Sequence, residues 1–508
     1  SGVIRLVGLS IVPPALNWDE VSLGYNAYSI AKTGKDEWGI ELPTIFRAYG
    51  DYKLPVYVYS LVLPISIFGL TEFSIRLPSA IAGVLTVFFV YSLSQTLFKR
   101  KSISLLSAFF FAIEPWNFFM SRIALEANLS LLFVVSGAWH ILEGLESKNK
   151  HLLPIGVILL GLSVWTYNSA RIFVPLLLIS LLVIYKSQVI SLYRENKKVF
   201  SLSIIFFIMF FIPMIWQLVN PQGQARYRWV AILDEGVVAQ INENRANSGL
   251  PNPLPVFVHN KVTYFVKNFS INYIKHFSPN FLFFEGGSQY QFNVPGKGLI
   301  YPTELVFIII GMFFVAKRRD RSSMLIFIWL VVSPIASALT RESPNPLRSI
   351  AIQPFPQILS AFGAIVVWDW LGEYSKVRDG KILFAGVYLI ALLYSVEMYA
   401  KSYIKTYRAN YSWSWQYGYK EAVEFMKQNY VKYNQIVITK KYGEPHEFIL
   451  FYWPWDPDSY RNDANLVRFG QSDWFWVDKF DKFYFTNDWQ VPRVADGRWR
   501  MESGSTIP

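Results

Sequence analysis

The chain has 508 residues, 53% of them hydrophobic, 18% aromatic and only 17% charged, with a mean hydropathy of +0.26; soluble domains carry nearer a quarter charged residues. This excludes an ordinary soluble enzyme, a disordered chain and a collagen, and identifies a membrane protein. The net charge of +12 reflects basic loops between apolar runs rather than a nucleic-acid surface, and the absence of cysteine removes disulfides, thiolate chemistry and cysteine metal sites.

A spanning helix needs about 20 apolar residues. The first run, Val3 to Leu16, is shorter than that and reads as a trimmed first helix. It is followed by Asn17-Trp18-Asp19-Glu20, two adjacent carboxylates ahead of an amphipathic stretch. Such acids either cap a helix or, facing a cavity, act as a general base or hold a divalent metal. The apolar segment from Lys53 to Leu70 is expected to lie in the interface, because counting it as a span would put Lys99, Arg100 and Lys101 outside.

Ten further spans follow at about 76–98, 103–120, 125–145, 152–167, 172–186, 199–218, 299–316, 323–340, 348–370 and 381–400. The basic loops at Lys99–Lys101, Lys148/Lys150, Lys186–Lys198, Lys317–Arg321 and Lys376–Lys381 are assigned to the cytoplasm by the positive-inside rule. The fold expected is therefore mostly α: a polytopic membrane bundle of about eleven helices over residues 1–400. Its external loops are 17–75 and 219–298, and a small external α/β domain fills 401–508. In that tail, EAVEFMKQNY reads as a helix and QIVITKK and HEFILFYW as strands. The tail holds 8 of the 18 tryptophans, as sugar-stacking faces, an interfacial belt or core. No 20–50-residue repeat and no HExxH-type histidine spacing occurs.

Single arginines stand at the external ends of spans: Arg76, Arg122, Arg171, Arg341 and Arg348. Several converging on one cavity would bind a phosphate; singly, each would be a snorkelling residue. Glu126 lies one helical turn after Arg122, as phosphate-site acid or local ion partner. The 219–298 loop, with Gln222, Gln224, Arg226, Tyr227 and Arg228, is expected either to close over the site as a lid or to serve as a long connection.

NWDE, KLPVY, IRLPSAIAG, EPWNFFMSRIALEANLSLLF and NPLRSIAIQPFP, in that order and spacing, resemble the C-type, polyprenyl-phosphate-dependent membrane glycosyltransferases. The similarity is greatest to the branch of protein O-mannosyltransferases and lipid A aminoarabinose transferases and covers roughly residues 15–370. The resemblance implies a donor sugar joined through one phosphate to an isoprenoid, and hexosyl or pentosyl transfer to a hydroxyl of a protein, lipid or glycan, with inversion. It makes Asp19, with Glu20 beside it, the catalytic acid pair, Asp19 as base or metal contact. It implies donor-phosphate contacts by Lys53 and Arg76, to which the pattern of arginines at span ends adds Arg122, Arg171 and Arg348, and a second acidic site at Glu126, where the family usually has Asp. A divalent metal, if used, would be held by Asp19 and Glu126. Lys53 and Pro55 stand in the family's Lys/His-Pro-Pro-Leu motif, with Leu54 and Val56 departing from it. The expected setting is a plasma (inner) membrane, multi-pass, with the site and the tail on the external or periplasmic face among membrane lipids and no nucleic acid. The competing class is a transporter or flippase of a lipid-linked sugar, which would place ionisable groups at the bilayer midplane.

Overall fold

A computed structural model describes residues 1–147, 149–374, 378–471, 474–487, 499–500 and 506–507; Lys148 and Lys376 of the basic loops lie outside them. The chain is mostly helical, with a four-stranded sheet near its C-terminus. It folds as two compact units: Ser1–Val7, Ser79–Arg122 and Glu126–Tyr407 form one, and Gly8–Pro78, Ile123–Leu125 and Arg408–Pro508 form the other.

Six helices among the described residues are long and apolar enough to cross a membrane: Glu72–Phe98, Glu126–Glu146, Lys197–Val219, Arg321–Ala338, Ile350–Gly372 and Gly380–Asn410. Each coincides with an expected span. A seventh arises if Ala170–Ile184 and Lys186–Glu195, bent by 81°, count together. The remaining expected spans are shorter. Lys101–Ile113 stops where Glu114 precedes Pro115, whose ring cannot continue the helix, and a six-residue helix Pro115–Met120 follows. Leu152–Val164 has 13 residues and Leu305–Arg318 has 14. The first run is helical only over Gly2–Leu6, and the segment after Lys53 forms the apolar helix Pro55–Phe68.

Helices in a membrane gain little from apolar burial against each other and pack through small residues instead. Leu305–Arg318 lies on Phe355–Tyr374 so closely that a β carbon at Gly311 would meet the carbonyl oxygen of Leu359, and one at Gly363 the carbonyl oxygen of Phe307. Gly363→Val is therefore expected to cost about 1–3 kcal/mol, read as a lowered melting temperature in detergent, whereas Gly386→Val, with open space around its β carbon, should leave the melt unchanged.

The second unit joins the helix Trp18–Thr33, a hairpin of β1 (Phe46–Ala48) and β2 (Asp51–Lys53), and the C-terminal region. There EAVEF is helical within Tyr419–Asn429, and QIVIT forms strand β3 (Ile436–Thr439). HEFILFYW corrects the expected strand: it forms the helix Pro445–Tyr452, with proline at its first position, an acid in its first turn and apolar residues buried on every side. The sheet is completed by β4 (Val467–Gln471), β5 (Trp474–Phe480) and β6 (Phe483–Thr486), in the order β3-β6-β5-β4, with β3 parallel to β6 and the other pairs antiparallel.

Candidate active site

Asn17 is the N-cap of Trp18–Thr33, and its side chain accepts from the backbone N–H of Glu20, whose carboxylate reaches back to the Asn17 N–H. This capping box fixes the direction of both acids, and they meet opposite fates. Glu20 is fully buried and accepts from Arg76 Nε at 2.9 Å, Arg76 Nη2 at 3.0 Å and the Ala124 N–H at 2.7 Å. Asp19 keeps 32% of its side chain accessible, with one carboxylate oxygen 2.7 Å from Lys53 Nζ. The hairpin delivers that lysine, since Lys53 ends β2 and pairs with Phe46 across the ladder. The fold brings Asp19 and Lys53 together, and of the two adjacent acids only Asp19 is accessible.

Arg76 is also fully buried, and its remaining N–H groups go to the carbonyls of Leu9, Pro13 and Ala15. All five guanidinium donors are thus engaged within the protein, in the geometry of a structural ion pair rather than of a phosphate cradle.

Trp18, next to Asp19 in the chain, belongs to an aromatic cluster that sequence reading missed. Tyr49 stacks on Trp474 at 5.6 Å and 16°, Trp18 meets both rings edge-on or tilted, and the Tyr49 hydroxyl donates to the Trp18 carbonyl at 2.7 Å. The Phe475 N–H donates to the Tyr49 carbonyl, tying β5 to the hairpin turn. The WSW, WPW and WFW segments divide: Trp415 is fully buried beneath Arg76 and Trp413 is exposed, while Trp453, Trp455, Trp474 and Trp476 are half-buried, Trp455 packing on Phe480 and Phe483. No spacing in the sequence signals that Tyr49 and Trp474 stack, because hairpin and sheet are distant in the chain.

A second unforeseen feature of this unit is the buried group Glu37, Glu444, Glu447 and His446, with Trp474 Nε1 donating to Glu444 at 2.6 Å. Burial raises the Glu37 and Glu444 carboxyls to about 7 and drives Glu447 well above the glutamate range. Burial, reinforced by Arg468 and Lys440, pushes the His446 imidazole well below its usual value. The folded state holds protons on three acids that the unfolded chain releases above about pH 4.5, so their stabilisation declines as pH rises from there through 7. His446 opposes this only below about pH 6.5, where the unfolded imidazole binds a proton that the folded one refuses. Three acids outweigh one imidazole. The unit is expected to melt several degrees lower at pH 7.5 than at pH 5.5, followed by tryptophan fluorescence, and Glu444→Gln should flatten the slope.

The other unit holds the remaining expected residues. Arg122 is buried and donates to the Tyr403 hydroxyl and to the carbonyls of Ile4, Arg5 and Val7. Arg171 is buried between the Val164 carbonyl and Gln217. Arg341 pairs with Asp234 in an exposed position. Arg348 pairs with Glu342 at 2.9 Å and donates to Thr340. Tyr167 feels the charges of Arg348, Arg226 and Glu126. The 219–298 loop is built of helices, among them Pro221–Val230 and Lys261–Lys275. Among the described residues no three His, Asp or Glu side chains lie close enough to hold a metal ion, and the Asp19 oxygen is taken by Lys53. A divalent metal therefore finds no ready ligand set here, and no step below is routed through one.

Residues 53–216 match the dolichyl-phosphate-mannose-protein mannosyltransferase family. No curated protein matches the sequence significantly. In structure the chain is similar to the oligosaccharyltransferase AglB of Archaeoglobus fulgidus, solved with an inhibitory peptide and a dolichol-phosphate. The TM-score is 0.53 at 17% identity, over 89% of this chain and 62% of that one, so the chain spans about three fifths of that enzyme's length. It is also similar to ArnT of Cupriavidus metallidurans bound to undecaprenyl phosphate, with TM-score 0.52 at 13% identity, over 89% of this chain and 83% of that one. The fold is that shared with AglB and ArnT, a multi-pass membrane architecture, and the family match is confined to residues 53–216.

Proposed function

We propose that the protein transfers a sugar from a polyprenyl-phosphate donor to an acceptor hydroxyl at the external face of the membrane, through a bundle of about eleven membrane segments, some shorter than a full span. The observation that carries this is the contrast between Asp19 and Glu20: one accessible carboxylate held by Lys53, beside one that is buried and fully bonded. The fold shared with ArnT and the family match over 53–216 supply the class of reaction.

In the proposed step Asp19 takes the proton of the acceptor hydroxyl as its oxygen attacks C1 of the sugar. The C1–O bond to phosphate breaks with its electron pair leaving on the lipid phosphate, which already exists as a stable anion and needs neutralisation rather than protonation. A single displacement inverts the anomeric centre, the geometry of inverting sugar transfer with a hydroxyl in place of water. Lys53 orients the Asp19 carboxylate and, if the donor displaces that contact, offers its ammonium to the phosphate. Arg348 is proposed as a donor-phosphate contact and Glu126 as a second acidic site. Glu20 and Arg76 are proposed as the rigid base under Asp19, and Arg122 and Arg171 as structural.

The test is incubation of the purified protein with a panel of polyprenyl-phosphate hexoses, pentoses and amino sugars, reading released polyprenyl phosphate by mass spectrometry with peptide, lipid and glycan acceptors. Acceptor-stimulated release from one donor is expected. Absence of release, binding and thermal stabilisation with every donor would sink the reading, and liposome transport of the lipid-linked sugar would then be measured.

A further inference from the structure

The short 3-10 turn Pro302–Glu304 leads into the helix Leu305–Arg318, and Glu304 is fully buried. Its carboxylate makes no close hydrogen bond among the described residues, and the Ser360 hydroxyl is the side-chain group that stands within reach of it. An ionised carboxylate left this way is strongly destabilising, so one neutral hydroxyl beside it leaves a charge that a proton or a cation has to compensate.

The neighbours narrow the choice. Glu114, equally buried and within electrostatic reach of Glu304, is satisfied: it accepts from Gln353 Nε2 at 2.7 Å, Gln357 Nε2 at 2.5 Å and the Asn117 N–H at 3.1 Å. Those bonds dictate both amide orientations, since flipping either would set a carbonyl oxygen against the Glu114 carboxylate. The Oε1 atoms of Gln353 and Gln357 therefore face away, and neither finds a donor. Ser360, one helical turn after Gln357, stands beside Glu304, and Tyr388, also in reach of Glu304, stands beside Thr303; none of these hydroxyls makes a close hydrogen bond among the described residues. Native interiors seldom leave so many buried oxygens without a partner in one neighbourhood unless water or an ion serves them. A cavity of about 280 Å³ reaches the same turns of chain, with Pro115, Tyr301 and Pro302 in its wall.

We propose that this cluster is a binding site for one alkali-metal cation, with Glu304 as the anionic ligand and the Gln353, Gln357 and Ser360 oxygens as neutral ones. An all-oxygen set suits a hard cation, and a single uncompensated carboxylate matches a charge of one better than the several carboxylates that calcium collects. Glu114 is the second shell that aims the amides.

The test is thermal unfolding of the full-length protein in detergent at equal ionic strength in NaCl, KCl or choline chloride, for the wild type, Glu304→Gln and Ser360→Ala. A saturable rise of about 2–5 °C in sodium or potassium over choline is expected for the wild type. Glu304→Gln should melt in choline at least as high as the wild type and ignore the cation. Ser360→Ala should keep the choline melt and raise the half-saturating concentration several-fold, which remains readable should Glu304→Gln fail to fold. Identical wild-type melts in all three salts overturn the proposal, as does a melt that follows pH alone, which would make the compensating group a proton, or a cation response that survives in Glu304→Gln.

Discussion

Asp19→Asn is expected to lower the rate of sugar transfer by about 10²–10⁴-fold, the range over which a positioned general base acts, while the protein stays folded. The expectation rests on burial rather than on the presence of an acid. Asp19 is accessible and makes its ion pair through one oxygen to a lysine, so the amide can occupy the same space without leaving a buried charge. The check is release of polyprenyl phosphate per mole of enzyme, with a melting curve alongside. Lys53→Met separates the two roles proposed for that side chain: loss of orientation alone lowers kcat, whereas loss of a phosphate contact also raises the KM for donor. An Asp19→Asn enzyme that retained wild-type turnover would remove Asp19 from the chemistry altogether.

Arg76→Met should act on stability, with a cost of about 3–5 kcal/mol, the loss typical of breaking one side of a buried pair. The substitution strands the Glu20 carboxylate in a site with no access to solvent, leaving it only the Ala124 and Asn17 N–H groups. It also removes the donors of the Leu9, Pro13 and Ala15 carbonyls. The double change Glu20→Gln with Arg76→Met should recover part of that loss, because no unpaired charge then remains. Both are read by thermal or denaturant unfolding. A single-variant cost below about 1 kcal/mol, the value of an exposed pair, would mean that water reaches this pair. A donor KM that rose with no change in melting temperature would return Arg76 to the role of phosphate contact.

The two outcomes separate residues that look alike in sequence. Asp19 and Glu20 are adjacent, and both sit where a helix cap or a base could be; Asn17 takes the cap, which turns the third helical residue, Glu20, back toward its own helix start. Arg76, Arg122, Arg171 and Arg348 share a place at the ends of apolar runs, yet the first three spend their donors on carbonyls and side chains of the protein. Arg348 instead pairs with the exposed Glu342. Charge pattern places an arginine at a boundary, but which of its N–H groups remain for a ligand depends on which carbonyls the folded chain leaves unpaired nearby.

Hydropathy alone determined that this is a membrane protein and located six of its long helices, because a span must be apolar along its whole length regardless of what packs against it. Local pattern likewise located the tail's first helix and strand β3. It misread HEFILFYW, since a run buried on every side carries no period to tell strand from helix, and there the proline at the first position decided the outcome. The sequence also carried the order of motifs around Asp19, Lys53 and Glu126. Only the tertiary structure decided that Tyr49 stacks on Trp474, that Glu37 meets Glu447, and that Glu304 is fully buried with the Ser360 hydroxyl as the side-chain group within its reach. Those juxtapositions join segments tens to hundreds of residues apart, and burial, which sets whether a charge is a working group or a structural one, is a property of what the rest of the chain places around it.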